Sequence, residues 1–180
     1  MEAFLLKPTL FWTKLVFDNW KIYMAATTKG LCYVGSQDKP FEELENWVNK
    51  HYPGSPLVLD DVVMEPYAAE FKEFFQGLRT SFTVSHDLKG TEFQTKVWNA
   101  LCQIPYGETW TYSDIADAIE KPSALRAVGS AIGANPVLLT VPCHRVIGKN
   151  GKLTGFRGGL EMKEQLLKIE QQNANLHHEQ

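Results

Sequence analysis

The chain lacks any run of about 18 apolar residues, which excludes a membrane-spanning helix. Its first residues, Met1-Glu2-Ala3-Phe4, lack the basic start, long apolar core and small-residue cleavage site of a secretory signal, so a cytoplasmic protein is expected. Cysteine is scarce: Cys32, Cys102 and Cys143 lie far apart, are odd in number and form no C-x-x-C pair. That pattern excludes a disulfide framework and a zinc ribbon, and reduced thiols are expected. Excess charge is also small, at a net −3, and points to no partner by itself. Acid is nevertheless missing from one stretch. Residues 121–160 hold Lys121, Arg126, Arg145, Lys149, Lys152 and Arg157 and no Asp or Glu, whereas residues 1–88 hold 8 basic against 12 acidic residues. A basic segment in an acidic protein is either an anion-binding face or a solvated surface.

The 180 residues suffice for one or two domains with real cores. The first half reads as α+β. Thr9 to Phe17, Trp20 to Thr27 and Leu31 to Val34 are rich in β-branched and aromatic residues and predict strands, with turns at Asp18-Asn19 and Lys29-Gly30. Phe41 to His51 and Tyr67 to Gly77 carry apolar residues at helical spacing. No nucleophile–base cluster or metal-ligand spacing occurs before residue 88, so this half, 1–88, is expected to be a supporting domain without a metal.

Ser85 to Gly90 is polar and reads as a linker. Helices are then expected at Glu92 to Gln103, capped by Thr91, at Asp114 to Ile119, and at Ala124 to Gly133, capped by Ser123. Two short helices joined by a tight turn suggest a helix-turn-helix with Ala124 to Gly133 as recognition helix. Ala127, Gly129 and Ser130 leave that helix thin, with Arg126 as its one charged side chain. A thin helix suits entry into a narrow groove, and small residues equally suit a closely packed core. A last helix, Glu161 to Glu170, precedes a polar tail, 171–180, expected to be flexible.

Val141-Pro142-Cys143-His144-Arg145-Val146 is where chemistry is concentrated. The apolar run Val137 to Val141 reads as a short buried strand, and the proline after it makes a bend. A cysteine reacts as its thiolate, which at neutral pH calls for a nearby imidazole, cation or helix N-terminus. His144 is adjacent and needs an acceptor on its second ring nitrogen; Glu170, Glu164 and Glu161 are all available. An inert buried cysteine beside a surface histidine is the competing reading. Cys32 and Cys102 have no such neighbours and read as core residues.

Pro142-Cys143-His144-Arg145-Val146 followed by Gly155-Phe156-Arg157-Gly158-Gly159-Leu160 resembles the O6-alkylguanine-DNA alkyltransferase family. Ile104-Pro105-Tyr106-Gly107, Thr111-Tyr112, Arg126-Ala127-Val128-Gly129, Asn135-Pro136 and Lys163-Glu164-x-Leu166-Leu167 resemble further family motifs in the same order, so the match spans nearly all of 91–170. The resemblance implies a ribonuclease H-like N-terminal domain. It also implies a DNA-binding and alkyl-acceptor domain, 89–170, with a winged-helix-like helix-turn-helix. Cys143 would take an alkyl group from O6 of guanine, O4 of thymine being left open as a further substrate. His144 would act as base through water, Glu170 would orient it, and Tyr112 would protonate N3 of the leaving base. Arg126 would fill the place of the flipped base, with Ser123, Ala127, Gly129 and Ser130 along the minor groove. Asn135, Arg145, Val146, Phe156, Arg157 and Gly158 would line the pocket. The implied partner is double-stranded DNA carrying O6-alkylguanine, bound by a monomer with little sequence preference and without a cofactor.

Chemistry on a paired base requires flipping, which costs a few kcal/mol. A thin helix with one arginine and a basic segment fits that task. Two departures stand out. Members that bind zinc do so through cysteines and histidines, whereas residues 1–88 hold only Cys32, His51 and His86. Arg157 stands where other members often carry a small residue, and is expected either to narrow the pocket or to contact phosphate. The rival readings are a lesion-binding module, a helix-turn-helix regulator and a cysteine hydrolase. The first lacks a cysteine such as Cys143. The second needs a further DNA-binding or effector region, and the third has no use for the thin helix and basic segment.

Overall fold

The computed structural model describes residues 6–177. Strands β1 (Leu10–Phe17), β2 (Trp20–Thr27) and β3 (Gly30–Val34) form an antiparallel meander, and β4 (Leu57–Leu59) joins β1 in parallel, giving the order β3-β2-β1-β4. Side chains alternate across a sheet, and β2 buries both faces. Its Ile22, Met24 and Ala26 enter a large core, and its Tyr23 and Ala25 pack on a smaller one. Helix α1 (Phe41–His51) closes the smaller side with Leu44 and Val48. Helix α2 (Asp61–Phe75) covers the other side with Met64, Phe71 and Phe74. Cys32 sits in the smaller core, where burial pushes its thiol up to about 12.

The strands β1 to β3 and helix α1 match their expected bounds to within a residue. Helix α2 does not begin at Tyr67. It begins at Asp61, after an Asp60 side chain that accepts from the Val63 N–H at 3.0 Å. Pro66 is tolerated inside it because the bond it cannot make belongs to the carbonyl of Val62, an exposed residue within reach of water. The expected linker is strapped onto β3. Leu31 N–H donates to Ser85 O and Asp87 N–H to Leu31 O, both at 2.9 Å. Thr27 Oγ1 donates to Asp87 Oδ2 at 2.6 Å. Gly30, at φ +153°, permits this approach, since a Cβ there would lie 2.6 Å from Ser85 O.

In the second half α3 (Glu92–Leu101), α4 (Tyr112–Ala118) and α5 (Leu125–Gly133) pack on one another. Trp98 Nε1 donates to Ala131 O at 2.9 Å and ties α3 to α5. Capping boxes start α3 (Thr91 with Gln94) and α4 (Thr111 with Asp114). Ser123 does not cap α5. Its N-cap is Ala124, which makes no side-chain bond, because Lys121 and Ala124 close the preceding turn through their backbones. The two readings of the thin helix apply to its two faces: Val128, Ala131 and Ile132 are core, and Arg126, Ala127 and Ser130 are exposed.

Val137 to Val141 is not a strand. Only Val137 makes a bridge, to Val34, and the chain then turns through Leu139 at φ 70°. The cause is Asn135, whose side chain accepts from Val137 N–H and donates to Val141 O, engaging backbone groups that a ladder would use. Cys143–Arg145 then forms a single 3-10 turn leading into β6 (Val146–Ile147), which pairs in parallel with β5 (Trp110–Thr111). The last helix, α6 (Leu160–His177), continues past Glu170, so 171–177 is helical where a flexible tail was expected; 178–180 lie outside the described residues. One core, containing Leu15, Met24 and Phe74 together with Trp98, Val137 and Leu166, runs through both halves.

Candidate active site

The turn at Cys143 is held by Asn135. Asn135 Nδ2 donates to Val141 O at 2.9 Å and to Cys143 Sγ at 3.2 Å. The sulfur is nearly enclosed, with 4 % of the residue exposed. Burial pushes the Cys143 thiol up, against the opposing effects of the Asn135 bond and the charges of Arg157 and Lys163. The resting group is therefore a neutral thiol, not the activated thiolate expected from the sequence.

His144 is fully buried, and its Nε2 lies 2.7 Å from Glu170 Oε1. Burial lowers the histidine, with Glu170 opposing that push, so the ring is neutral near pH 7. For Glu170, burial alone would raise the carboxyl. The hydrogen bonds of His144 and Arg145 and the Arg145 charge more than offset it and hold the group below the usual carboxylate range. An ionised Glu170 can only accept, so Nε2 carries the proton and Nδ1 keeps its lone pair. Nδ1 is buried without a hydrogen-bond partner among the described residues. The pair thus presents a ready base one residue from the thiol.

Arg145, expected at the pocket, has its guanidinium engaged within the protein. Its Nε donates to Glu170 Oε2 at 2.9 Å, one terminal nitrogen donates to Glu170 Oε1 at 2.8 Å, and the other donates to Ile104 O at 2.7 Å. The planar fork neutralises a buried carboxylate and fixes it for His144. Of the three candidate acids, Glu161 and Glu164 are exposed and Glu170 is buried, because residues 163, 166, 167 and 170 share the inward face of α6.

Tyr112 opens α4, and Thr154 Oγ1 donates to its hydroxyl at 3.1 Å. Gly129 of α5 packs beside its ring, where an added Cβ would lie 4.0 Å from Tyr112 Cε1. Val146 is buried at the start of β6. Gly158 passes so close to Phe156 that a Cβ would fall 2.6 Å from that ring and 2.5 Å from Met162 sulfur. Arg157, expected to narrow the pocket or contact phosphate, donates to the backbone carbonyls of Asn135, Pro136 and Val34. Arg126, Ser123, Ala127 and Ser130 lie exposed on and before α5.

One site residue had no role in the sequence reading. Lys163 is fully buried, its Nζ donates to Thr154 O at 2.9 Å, and burial lowers its pKa, with Cys143 opposing that shift. Its spacing from Glu170, two helical turns on one face, was the available signal. Among the described residues no group of three or more His, Cys, Asp or Glu side chains is placed to hold a metal ion.

Residues 92–172 match the family model described as 6-O-methylguanine DNA methyltransferase, DNA binding domain. Over 169 residues, 94 % of each chain, the sequence is 61 % identical to the inducible methylated-DNA–protein-cysteine methyltransferase of Bacillus subtilis. The chain belongs to this methyltransferase family. The Methanosarcina acetivorans methylated-DNA–protein-cysteine methyltransferase is 44 % identical over 83 % of this chain and 90 % of its own. The fold is the family's mixed α+β fold. It superposes on the crystal structure of Mycobacterium tuberculosis OGT in complex with DNA with a TM-score of 0.77 and 36 % identity, covering 92 % of this chain and 94 % of that one. Both halves fall within that superposition, so the family assignment extends beyond the segment that carries the motifs. No helix among the described residues is long and apolar enough to cross a membrane.

Proposed function

We propose that this protein repairs DNA by moving an alkyl group from O6 of guanine to Cys143, once per molecule. The observation that carries this reading is the buried His144 Nδ1 left without a partner while Nε2 is bonded to Glu170, on the residue next to Cys143 in the chain. Cys143 Sγ attacks the alkyl carbon in line with the bond to O6. An S–C bond forms as the C–O6 bond breaks, and the thiol proton passes to His144 Nδ1 through water. The electron pair stays with guanine, which takes a proton at N3 from Tyr112; the proton held by His144 then returns through water to the Tyr112 phenolate, so that the net proton transfer is from the thiol to guanine. The thioether product is a poor leaving group, which makes the reaction stoichiometric and independent of a cofactor.

Residues 1–88 act as a supporting domain with ribonuclease H-like topology, and 89–170 as the DNA-binding and acceptor domain. Helices α4 and α5 act as a winged-helix-like helix-turn-helix on the minor groove, where base readout is degenerate and sequence preference low. Arg126 fills the stack left by the flipped guanine, and Ser123, Ala127, Gly129 and Ser130 let the backbone of α5 approach the groove. Asn135 positions the sulfur, and Val146, Phe156 and Gly158 enclose the base. The protein acts as a monomer in the cytoplasm.

The test is intact-protein mass after incubation with duplex DNA carrying O6-methylguanine. We expect a gain of one methyl per chain, located at Cys143, and none in Cys143→Ala, which still binds the duplex. Guanine release beyond one equivalent of protein would overturn the reading.

A further inference from the structure

Arg157 lies in the segment between β6 and α6, flanked by Phe156 and Gly158. One terminal nitrogen donates to Val34 O at 2.6 Å and to Pro136 O at 3.2 Å, and Nε donates to Asn135 O at 3.2 Å. The guanidinium carbon lies 5.3 Å from the centre of the Tyr33 ring, and the other terminal nitrogen is 3.9 Å from Glu43 Oε1. That same carboxylate oxygen accepts from the Tyr33 hydroxyl at 2.9 Å and from Ser36 N–H at 2.7 Å. A return bond runs from Ser36 Oγ to Arg157 O at 3.3 Å.

Three separate pieces of chain therefore meet on one side chain. Val34 ends β3, Asn135 holds the Cys143 sulfur, and Phe156–Gly158 is the wall of the acceptor pocket under the proposed function. The wall has little slack, because a Cβ at Gly158 would fall 2.6 Å from the Phe156 ring and 2.5 Å from the Met162 sulfur. A planar five-donor fork can serve carbonyls on two segments at once, and an ammonium cannot reproduce that geometry.

We propose that Arg157 is a positioning residue that sets alkyl-group specificity: by tying Phe156–Gly158 and the Asn135–Pro136 backbone to the end of β3, it fixes the depth of the pocket and favours methyl over bulkier groups. The N-terminal half is thereby a working part of the pocket, not only a support. The inference rests on the proposed alkyl transfer.

The experiment follows single-turnover alkylation of the full chain by intact mass, with duplexes carrying O6-methylguanine or O6-benzylguanine. Arg157→Ser releases the wall while keeping Cys143, His144 and Glu170. Small displacements of reacting groups cost one to two orders of magnitude in rate, so the methyl-to-benzyl rate ratio is expected to shrink by about tenfold in Arg157→Ser. Arg157→Lys, which keeps the charge and the stem, is expected to shrink the ratio as well, and it carries the test if the serine variant does not fold. An unchanged ratio in the folded variant, with or without a lower melting temperature, overturns the inference and leaves Arg157 as a structural tie. Wild-type protein that takes neither alkyl group overturns the proposed function itself.

Discussion

A thiol raised by burial and a histidine lowered by burial make a pair that is neutral on both sides near pH 7. Its reactive form is the neutral pair, in which the base takes the proton as the sulfur attacks. The pH dependence follows with a definite sign. Above the lowered pKa of His144 and below the raised pKa of Cys143 the pair keeps the same protons, so the transfer rate should be flat through neutrality. It should fall only as acid protonates His144, below the ordinary histidine value of 6.5. His144→Ala leaves only free thiolate as nucleophile, and the thiol is raised. Its rate should be low at neutral pH and climb by about tenfold per pH unit toward that thiol. Transfer rates of both proteins between pH 6 and 9 check this, and a wild-type rate that climbs in parallel with the variant would refute the role of His144. Glu170→Gln should resemble the alanine variant, because it leaves the Arg145 cation uncompensated beside the ring.

Elements place these residues. The capping box that starts α4 uses Thr111 Oγ1, which accepts from Asp114 N–H at 3.2 Å, and Asp114 Oδ2, which accepts from Thr111 N–H at 2.7 Å. Tyr112 is the first residue of that helix. Thr111→Ala should lower unfolding stability by about 1 kcal/mol, the usual worth of such a cap. It should also slow transfer, because the frayed turn carries Tyr112, the proposed proton donor; denaturant midpoints and single-turnover rates on one preparation check both effects. Strands β1 to β3 were legible through their β-branched and aromatic content, although β2 and β3 are buried on both faces, and α1 and α3 through a helical period that packs one face. Cys143, His144 and Glu170 were legible through the motif. Val137 to Val141 was not, since its composition suggests a strand while Asn135 captures its backbone. The roles of Arg145, Arg157 and Lys163 were hidden for a related reason. Whether a cation faces solvent or lies buried depends on carbonyls and carboxylates distant in the chain, here Ile104, Val34 and Thr154.

At the scale of the molecule, one core passes from the sheet into the helices, with Phe74 and Met24 in the same cluster as Trp98 and Leu166. Two halves that share a core should not melt separately. Urea unfolding followed by tryptophan fluorescence and by far-ultraviolet circular dichroism should give coincident, single transitions; two resolved steps would show that the halves are independent. The strap at Ser85–Asp87 adds something different. A protease must draw a length of extended backbone into its own cleft, and polar connectors between domains are where it ordinarily finds one. Here Leu31 already holds that backbone through its amide and its carbonyl, and the Asp87 side chain is bonded to Thr27. The stretch with the composition of a cleavage site is denied to the enzyme until β3 itself lets go, so nicking at the linker would report unfolding of the sheet and not motion between the halves.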